Sequence, residues 1–450
     1  MSISTYLSTY LKSLDIHFAD IAGKSFWVLL LKILGLLTGF LLSIVITKFS
    51  GSEGLGVYNL TLQVGVILAT ISMLGADQLM IKQVAIAHKN GFFDKILTIL
   101  KSSILINGGV ALFIAIGLIL TSKYVALYGL RDSNLYFLFI LIALSIIPHV
   151  ISKTYSNLLV GIGKNSYGVL SDPNMISLIT LPIVLVYYFF INKDIHIEAI
   201  VFIYLVSRIV IGVVQIGAWK NFSAKPVKSI SASSKIALWS GSFFAISLLA
   251  PIFNSVEMFV FGYFGKHTDL GVFSILWRLS NIQVFILLIS NSSLMPKFSV
   301  LYHEGKVQQI QNIIKQLSSL FSFLSITIFA LFLIFGKLIL GFWGAEFQHA
   351  YPSLIILLIG QFFNIASGSN SILLNITGNN RLNMFLLLFS TLFDFILAVI
   401  FIYYFNILGA ALSCSITNVL FNLLKNYYCK KRLGINMFTF NSINKSFRFY

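Results

Sequence analysis

Twelve apolar blocks, each about the length of a bilayer-spanning helix and separated by short polar loops, fill this chain from Phe26 to about Tyr428. A hydrocarbon core about 30 Å thick is crossed by about 20 helical residues, and a backbone inside it must satisfy its own hydrogen bonds. The blocks therefore predict helices and exclude open strands. Hydrophobic residues make up 58 % of the chain and charged residues 10 %, a balance that a water-facing globular surface cannot carry. The expected fold class is all-α integral membrane with twelve transmembrane helices. The spans fall near 26–47, 57–80, 102–121, 135–158, 167–190, 199–219, 236–263, 269–295, 316–336, 350–374, 383–404 and 407–428.

The net charge of +17 follows from topology. With both termini on one side, that side carries 22 of the 31 Lys and Arg; six lie opposite and three at membrane depth. The positive-inside rule then makes both termini cytoplasmic. The positive charges are dispersed over loops without interleaved stacking aromatics, so no nucleic-acid partner is expected. Lys430, Lys431 and Arg432 suit anionic membrane lipids instead. Residues 1–22, with Tyr6, Leu7, Tyr10, Leu11 and Leu14, read as a retained cytoplasmic or interfacial segment.

The longest hydrophilic break is the Ser- and Lys-rich stretch from Lys220 to Lys235. It divides a six-helix unit at 23–220 from another at 235–430, with a cytoplasmic linker at 221–234 and a cytoplasmic tail at 431–450. A shift of 215 residues aligns Leu55-Gly56-Val57-Tyr58 with Leu270-Gly271-Val272-Phe273. The same shift places Ser25 on Ser240, Leu158-Leu159 on Leu373-Leu374, Gly163 on Gly378, Asn165 on Asn380 and Tyr188 on Tyr403. Two parallel six-helix repeats are expected, the arrangement in which a substrate path between the halves opens alternately to each side.

Charges at membrane depth cost about 2.5 to 3.5 kcal/mol each on insertion scales, so each needs a wet cavity, a partner or a task. At 1.5 Å per residue, Arg278 lies roughly 13 Å into span 8, Arg208 roughly 14 Å into span 6, Asp394 roughly 16 Å into span 11 and Lys32 roughly 9 Å into span 1. Gly271, Ser274, Arg278 and Asn281 share one helical face, as do Ser25, Lys32, Gly35, Gly39 and Ser43. Tyr204, Arg208, Gly212 and Gln215 form a third polar stripe, and Ser390, Thr391, Asp394 and Ala398 a fourth.

The segments KSFWVLLLKILGLLTGFLLSIVITKFSGSEGLGVYNL, LGVFSILWRLSNI and PKFSVLYHEG resemble bacterial polysaccharide flippases of the O-antigen (Wzx) type. Those flippases share a superfamily with the multidrug and toxin extruders (MATE). The resemblance implies a MATE-like pair of six-helix bundles around a V-shaped cavity in the bacterial inner membrane. It also implies carriage of an undecaprenyl-diphosphate-linked oligosaccharide, destined for O-antigen or capsule, to the periplasmic leaflet. A polysaccharide polymerase and a chain-length regulator would be further partners.

On this reading Arg278, Lys32 and Arg208 bind the diphosphate, arginine through its planar fork and lysine as a compact point charge. In the related lipid-linked peptidoglycan-precursor flippases a span-8 arginine serves a cationic cavity, and Arg278 resembles it in placement. The competing reading pairs Lys32 or Arg208 with Asp394 or Asp172 as a structural bridge. Under the 215-residue shift Arg278 falls on Gln63, Lys32 on Ser247, Arg208 on Leu423 and Asp394 on Ile179, so none has a charged twin. Asp394 is the leading candidate for coupling to H⁺ or Na⁺, with Asp172, followed by Pro173, second. Asp77 and Glu257 are expected near the interfaces.

Two neutral stripes are candidate sugar contacts: Gln361, Asn364, Ser371 and Asn375 on span 10, and Ser415, Asn418, Asn422 and Asn426 on span 12. The competing reading is hydrogen-bond glue between helices. No Walker loop, HExxH or other metal-ligand spacing appears, and Cys414 and Cys429 form no framework. No catalytic residue, metal or cofactor is therefore expected, and no enzyme. A MATE-type drug or cation antiporter and a lipid II flippase remain alternatives. From a different class, a membrane polysaccharide polymerase or glycosyltransferase would join sugars rather than move them.

Overall fold

The computed structural model describes residues 18–132, 135–192, 195–222 and 241–437. All regular elements among them are helical. The first, α1 (Phe18–Ser72), has 55 residues and would reach about 80 Å if straight, far more than a bilayer accepts. It breaks at Gly51, whose φ of 67° only glycine adopts cheaply, and so supplies two spans. Then follow α2 (Ala76–Lys89), α3 (Phe93–Tyr124), α4 (Leu135–Gly161), α5 (Ser177–Phe190) and α6 (Ile197–Phe222). The second half comprises α7 (Gly241–Phe253), α8 (Val256–Tyr263), α9 (His267–Ser280), α10 (Val284–His303), α11 (Val307–Leu340), α12 (Tyr351–Ala366), α13 (Asn370–Ile376) and α14 (Asn380–Leu433). The last, at 54 residues, breaks at Asn406 with φ 48°.

Eight helices among the described residues are long and apolar enough to cross a membrane, nine when α7 and α8, bent by 56°, count as one. The breaks inside α1 and α14, together with the α9–α10 pair, fit a path of twelve crossings. Residues 223–234 of the linker, residues 1–17 of the N-terminal segment and residues 438–450 of the tail lie outside the described residues.

The internal repeat has a structural counterpart. Gly163 and Gly378, 215 residues apart, both end a helix with positive φ, at 81° and 77°. Where the second limb of α1 crosses α9 the backbones almost touch: a Cβ on Gly56 would lie 2.0 Å from the His267 carbonyl oxygen, and one on Gly271 1.9 Å from that of Ser52. These two contacts are the same contact seen from each repeat, since Ser52 and His267 are also 215 apart. Small residues let transmembrane helices approach to this distance. Asn59 Nδ2, one turn on, donates to Ser274 Oγ at 2.7 Å, again across 215 positions.

The buried apolar residues distinguish the two ends of the molecule. At the end bearing Gly51, Leu130 and Leu340, here the distal end, one continuous core joins both halves, from Ile46 and Phe139 to Phe273 and Phe347. Towards the end bearing the termini there are two separate cores. One, around Met80, Leu158 and Trp219, belongs to the first half; the other, around Phe298, Leu374 and Phe421, to the second. The halves therefore share one core distally and have separate cores towards the other end, where they still touch at Gly75, whose Cβ would lie 2.6 Å from Phe244 Cα of α7.

Candidate substrate site between the two bundles

Arg278 sits where the shared core gives way to separate ones. Its helix, α9, belongs to the second half, but its Nη1 donates to the Gly39 carbonyl of α1 at 3.0 Å. It is half-buried, and Tyr58 of α1 lies within electrostatic reach of both Arg278 and Arg208. Above it, distally, Trp343 Nε1 donates to Ser43 Oγ at 2.9 Å, and the Trp343 ring meets Phe40 edge-on at 5.9 Å. This aromatic contact seals the cleft between α1 and the second half.

Lys32 lies on the same limb of α1, two turns closer to the terminus than Gly39. Its Nζ is 3.9 Å from one oxygen of Asp172, and Lys153 Nζ of α4 is 3.7 Å from the other. All three side chains are about one-third exposed, at 31 % for the lysines and 35 % for the aspartate. The trio carries one net positive charge where it can meet water. Span 5 produces this placement by failing to be one helix. Pro173 ends a one-turn piece, leaving Asp172 extended at φ −62° and ψ 142°. Gly35 lets the turn press on α1, since a Cβ there would overlap Met175 and approach the Asn174 carbonyl.

Arg208 has a different setting. It is fully buried inside the first half, its Nε donating to Tyr204 Oη at 2.9 Å and its Nη1 to the Ser171 carbonyl at 3.4 Å, with the Tyr204 ring 5.2 Å away. Gln215 Nε2 donates to the Tyr167 carbonyl at 3.2 Å, and Ser171 Oγ donates to Gln215 Oε1 at 3.0 Å. Together these side chains satisfy carbonyls freed by the broken span and hold Asp172 in position. The expectation that Arg208 lines the cleft is corrected. Its polar stripe faces the bundle interior because the broken segment needs donors there. Asp172 likewise faces two lysines, so it serves as their counter-ion.

The second half buries acid. Asp394 of α14 and Glu257 of α8 lie within electrostatic reach of each other, with Cys414, Ser413 and Thr417 around them. One oxygen of each carboxyl, Glu257 Oε1 and Asp394 Oδ1, is buried without a hydrogen-bond partner among the described residues, as are the hydroxyls of Ser390 and Thr417. Glu257 was expected near an interface. The break between α7 and α8 instead starts a new helix within the span and brings Glu257 inside. Two carboxyls this close, with unused oxygen and hydroxyl valences, can hold a proton or a small cation. Among the described residues no group of three or more His, Cys, Asp and Glu has metal-binding geometry.

The neutral stripes chiefly bond to one another. Asn370 Nδ2 lies 3.1 Å from Asn422 Oδ1 and 3.2 Å from Asn426 Oδ1; Asn422 donates to Asn364 at 3.2 Å, and Asn364 to Gln361 at 3.0 Å. Asn383 donates to Asn375 at 3.0 Å. Gln361 and Asn422 are buried between helices, which corrects their placement as open sugar contacts; Asn364, Ser371, Asn375 and Asn418 are half-buried. Sequence reasoning passed over Lys425, whose Nζ donates to Ser371 Oγ at 2.8 Å and lies 3.4 Å from the centre of the Phe421 ring. Its spacing from Asn422 and Asn418 on one helical face was the available signal.

The two helical bundles thus meet at Arg278 and Gly39 and at the Gly56–Gly271 crossing. The family model described as polysaccharide biosynthesis protein matches residues 21–302, and the chain belongs to that family. No curated protein sequence matches the chain significantly. The fold is shared with an inward-facing multidrug MATE transporter of the MOP superfamily at TM-score 0.66 and 13 % identity, over 92 % of this chain and 96 % of that one. A MOP superfamily transporter from Pyrococcus furiosus, described for the reversed polarity of its binding pocket, gives 0.62 and 15 %, over 92 % and 95 %. An outward-facing multidrug MATE transporter gives 0.56 and 15 %, over 91 % and 94 %. The chain is thus a multi-pass membrane member of the polysaccharide-biosynthesis family whose fold is shared with these transporters.

Proposed function

We propose that the protein moves an undecaprenyl-diphosphate-linked oligosaccharide from the cytoplasmic to the periplasmic leaflet of a bacterial inner membrane by alternating access. The observation that carries this reading is the set of partly exposed cations, Arg278, Lys32 and Lys153, on both sides of a cleft sealed at one end. A diphosphate offers more acceptor oxygens and more charge than the single Asp172 carboxylate, so it can displace that aspartate from both lysines. Arg278, anchored across the cleft on Gly39, would then close on the same anion. Sugar contacts fall to the half-buried Asn364, Ser371, Asn375 and Asn418.

The excess of Lys and Arg on the terminal side supports cytoplasmic termini. On that orientation the distal contact between the halves faces the periplasm. Asp394 with Glu257, remote from the anion trio in sequence and chemistry, is the pair we assign to coupling by H⁺ or Na⁺. An extruder of cationic drugs would require acidic rather than basic groups lining the cleft.

The test compares Arg278→Ala with Arg278→Lys in a periplasmic-exposure assay for the lipid-linked glycan. Loss of one charge-assisted contact should lower transport on the order of 10- to 100-fold in the alanine variant and less in the lysine variant. Unimpaired transport by well-expressed alanine protein would remove Arg278 from the mechanism.

A further inference from the structure

The seal at the distal end contains a titratable contact that substrate binding does not use. His267, the first residue of α9, places its Nε2 3.6 Å from Asp132 Oδ2, in the loop between α3 and α4 of the opposite half. The imidazole is nearly buried, with 7 % of its side chain exposed against 23 % for Asp132, and neither ring nitrogen has a hydrogen-bond partner among the described residues. At 3.6 Å the two groups meet as charges rather than as a hydrogen-bonded pair. An imidazole is the ordinary side chain that gains or loses its charge between pH 5 and 8.

We propose that His267 and Asp132 form a proton-operated latch that holds the two bundles together at the distal end. This rests on the alternating-access reading, in which that end must part. The position gives the latch leverage. The His267 carbonyl lies against Gly56, at the point where the two repeats cross, so separation of the halves there also moves the imidazole away from Asp132.

The neighbouring charged groups Arg131, Lys266, Asp269 and Glu53 are placed as follows. Arg131, next to Asp132, donates to Tyr263 at 3.4 Å and sits 4.8 Å over its ring. Lys266 bonds to the Ile402 carbonyl at 3.2 Å and to the Asn406 side chain. Asp269 is one turn along α9 from Lys266 and within its electrostatic reach. Ser52 and Gly56, the residues α1 packs here, do not titrate, and Glu53 beside them is exposed.

The sign follows from charge. A protonated His267 attracts the Asp132 carboxylate and favours the closed distal end; a neutral one loses that attraction. Acid on the distal side therefore favours closure, and alkali favours release. No proton passes through the seal in this scheme. The latch biases which state the empty carrier occupies.

The experiment uses the full-length protein in lipid nanodiscs, without substrate. Spin labels at Lys123 and Glu346, exposed distal positions on opposite halves, replace native labelling because Cys414 and Cys429 are buried. The closed-to-open ratio should rise roughly two- to fivefold from pH 8 to pH 5.5, the worth of a partly exposed ion pair. H267Q and D132N should each abolish that rise, and the double variant should add nothing further. A wild type with no pH response, or a response that survives in either variant, overturns the latch. D132N changes a more exposed side chain and keeps the test open if H267Q does not fold. Distances that switch with pH in a protein unable to move the glycan would refute the flippase reading and leave the latch standing.

Discussion

At Gly56 and Gly271 the two repeats meet as equivalents, each glycine accepting the carbonyl of the residue that corresponds to the other's neighbour. Away from that crossing the halves part company in chemistry. Glu257 and Asp394 of the second half correspond to Leu42 and Ile179 in the first, and Lys153 and Asp172 of the first correspond to Gly368 and Leu387 in the second. Arg208 and Lys425 fall on Leu423 and Val210. Backbone punctuation is duplicated where the two bundles meet at the same close contact. Buried charge is not duplicated, which is what the proposed division of tasks requires: anion capture by the first half together with Arg278, and cation or proton exchange in the second.

The largest expected effect tests the duplicated part. Gly56→Val and Gly271→Val each force a branched side chain into a carbonyl about 2 Å away, and backbone cannot rotate aside as a side chain can. Each should cost about 3 kcal/mol or more, at the upper end of overpacking effects. Equivalence predicts similar losses, and Gly108→Val, where no atom outside its own helix lies within 4 Å, should leave unfolding in detergent nearly unchanged. Strongly unequal losses at Gly56 and Gly271 would break the symmetry of the pivot.

The unduplicated acid pair comes next. Glu257→Gln and Asp394→Asn keep side-chain volume and remove the exchangeable charge, so both variants should fold and still bind the lipid-linked glycan. Gradient-driven transport should fall by about tenfold or more, the scale of losing one well-placed charge interaction. Measuring transport with and without an imposed H⁺ or Na⁺ gradient checks this. A variant that keeps full gradient dependence would place coupling elsewhere, and equal defects in both variants would establish that the carboxyls act as a pair.

How far these sites were legible in the sequence depended on helix continuity. Arg278 could be placed from its spacing to Gly271 and Ser274 because α9 is regular over that stretch, and the 215-residue register paired Gly56 with Gly271 as equivalents but not as contacts. Glu257 and Lys153 were missed for opposite reasons. The break before α8 drew Glu257 inwards, while Lys153 gains its partner only because the Pro173 turn brings Asp172 to it. Arg208 illustrates a limit of periodicity itself. A polar stripe records that one face avoids lipid, but the interior of a bundle and the wall of a cleft satisfy that condition equally.

Arg208 and Lys425, the buried cations of opposite halves, give the finest comparison. Arg208→Met would leave the Tyr204 hydroxyl and the Ser171 carbonyl without their donor, at a cost of about 2 kcal/mol for two buried polar partners. It should also loosen Asp172 and hence the two lysines, so glycan affinity should fall through that loss of position although Arg208 is buried. Lys425→Met removes one bond to Ser371 and a contact with the Phe421 ring, and it relieves an ammonium that has no carboxylate among its described contacts. The gain in desolvation and the lost contacts oppose each other, so stability should change by less than about 1 kcal/mol. Paired unfolding and glycan-binding measurements on the two variants separate the cases. If Lys425→Met proves as damaging to binding as Arg208→Met while leaving stability intact, the second half holds an anion contact of its own and the division of labour between the bundles must be redrawn.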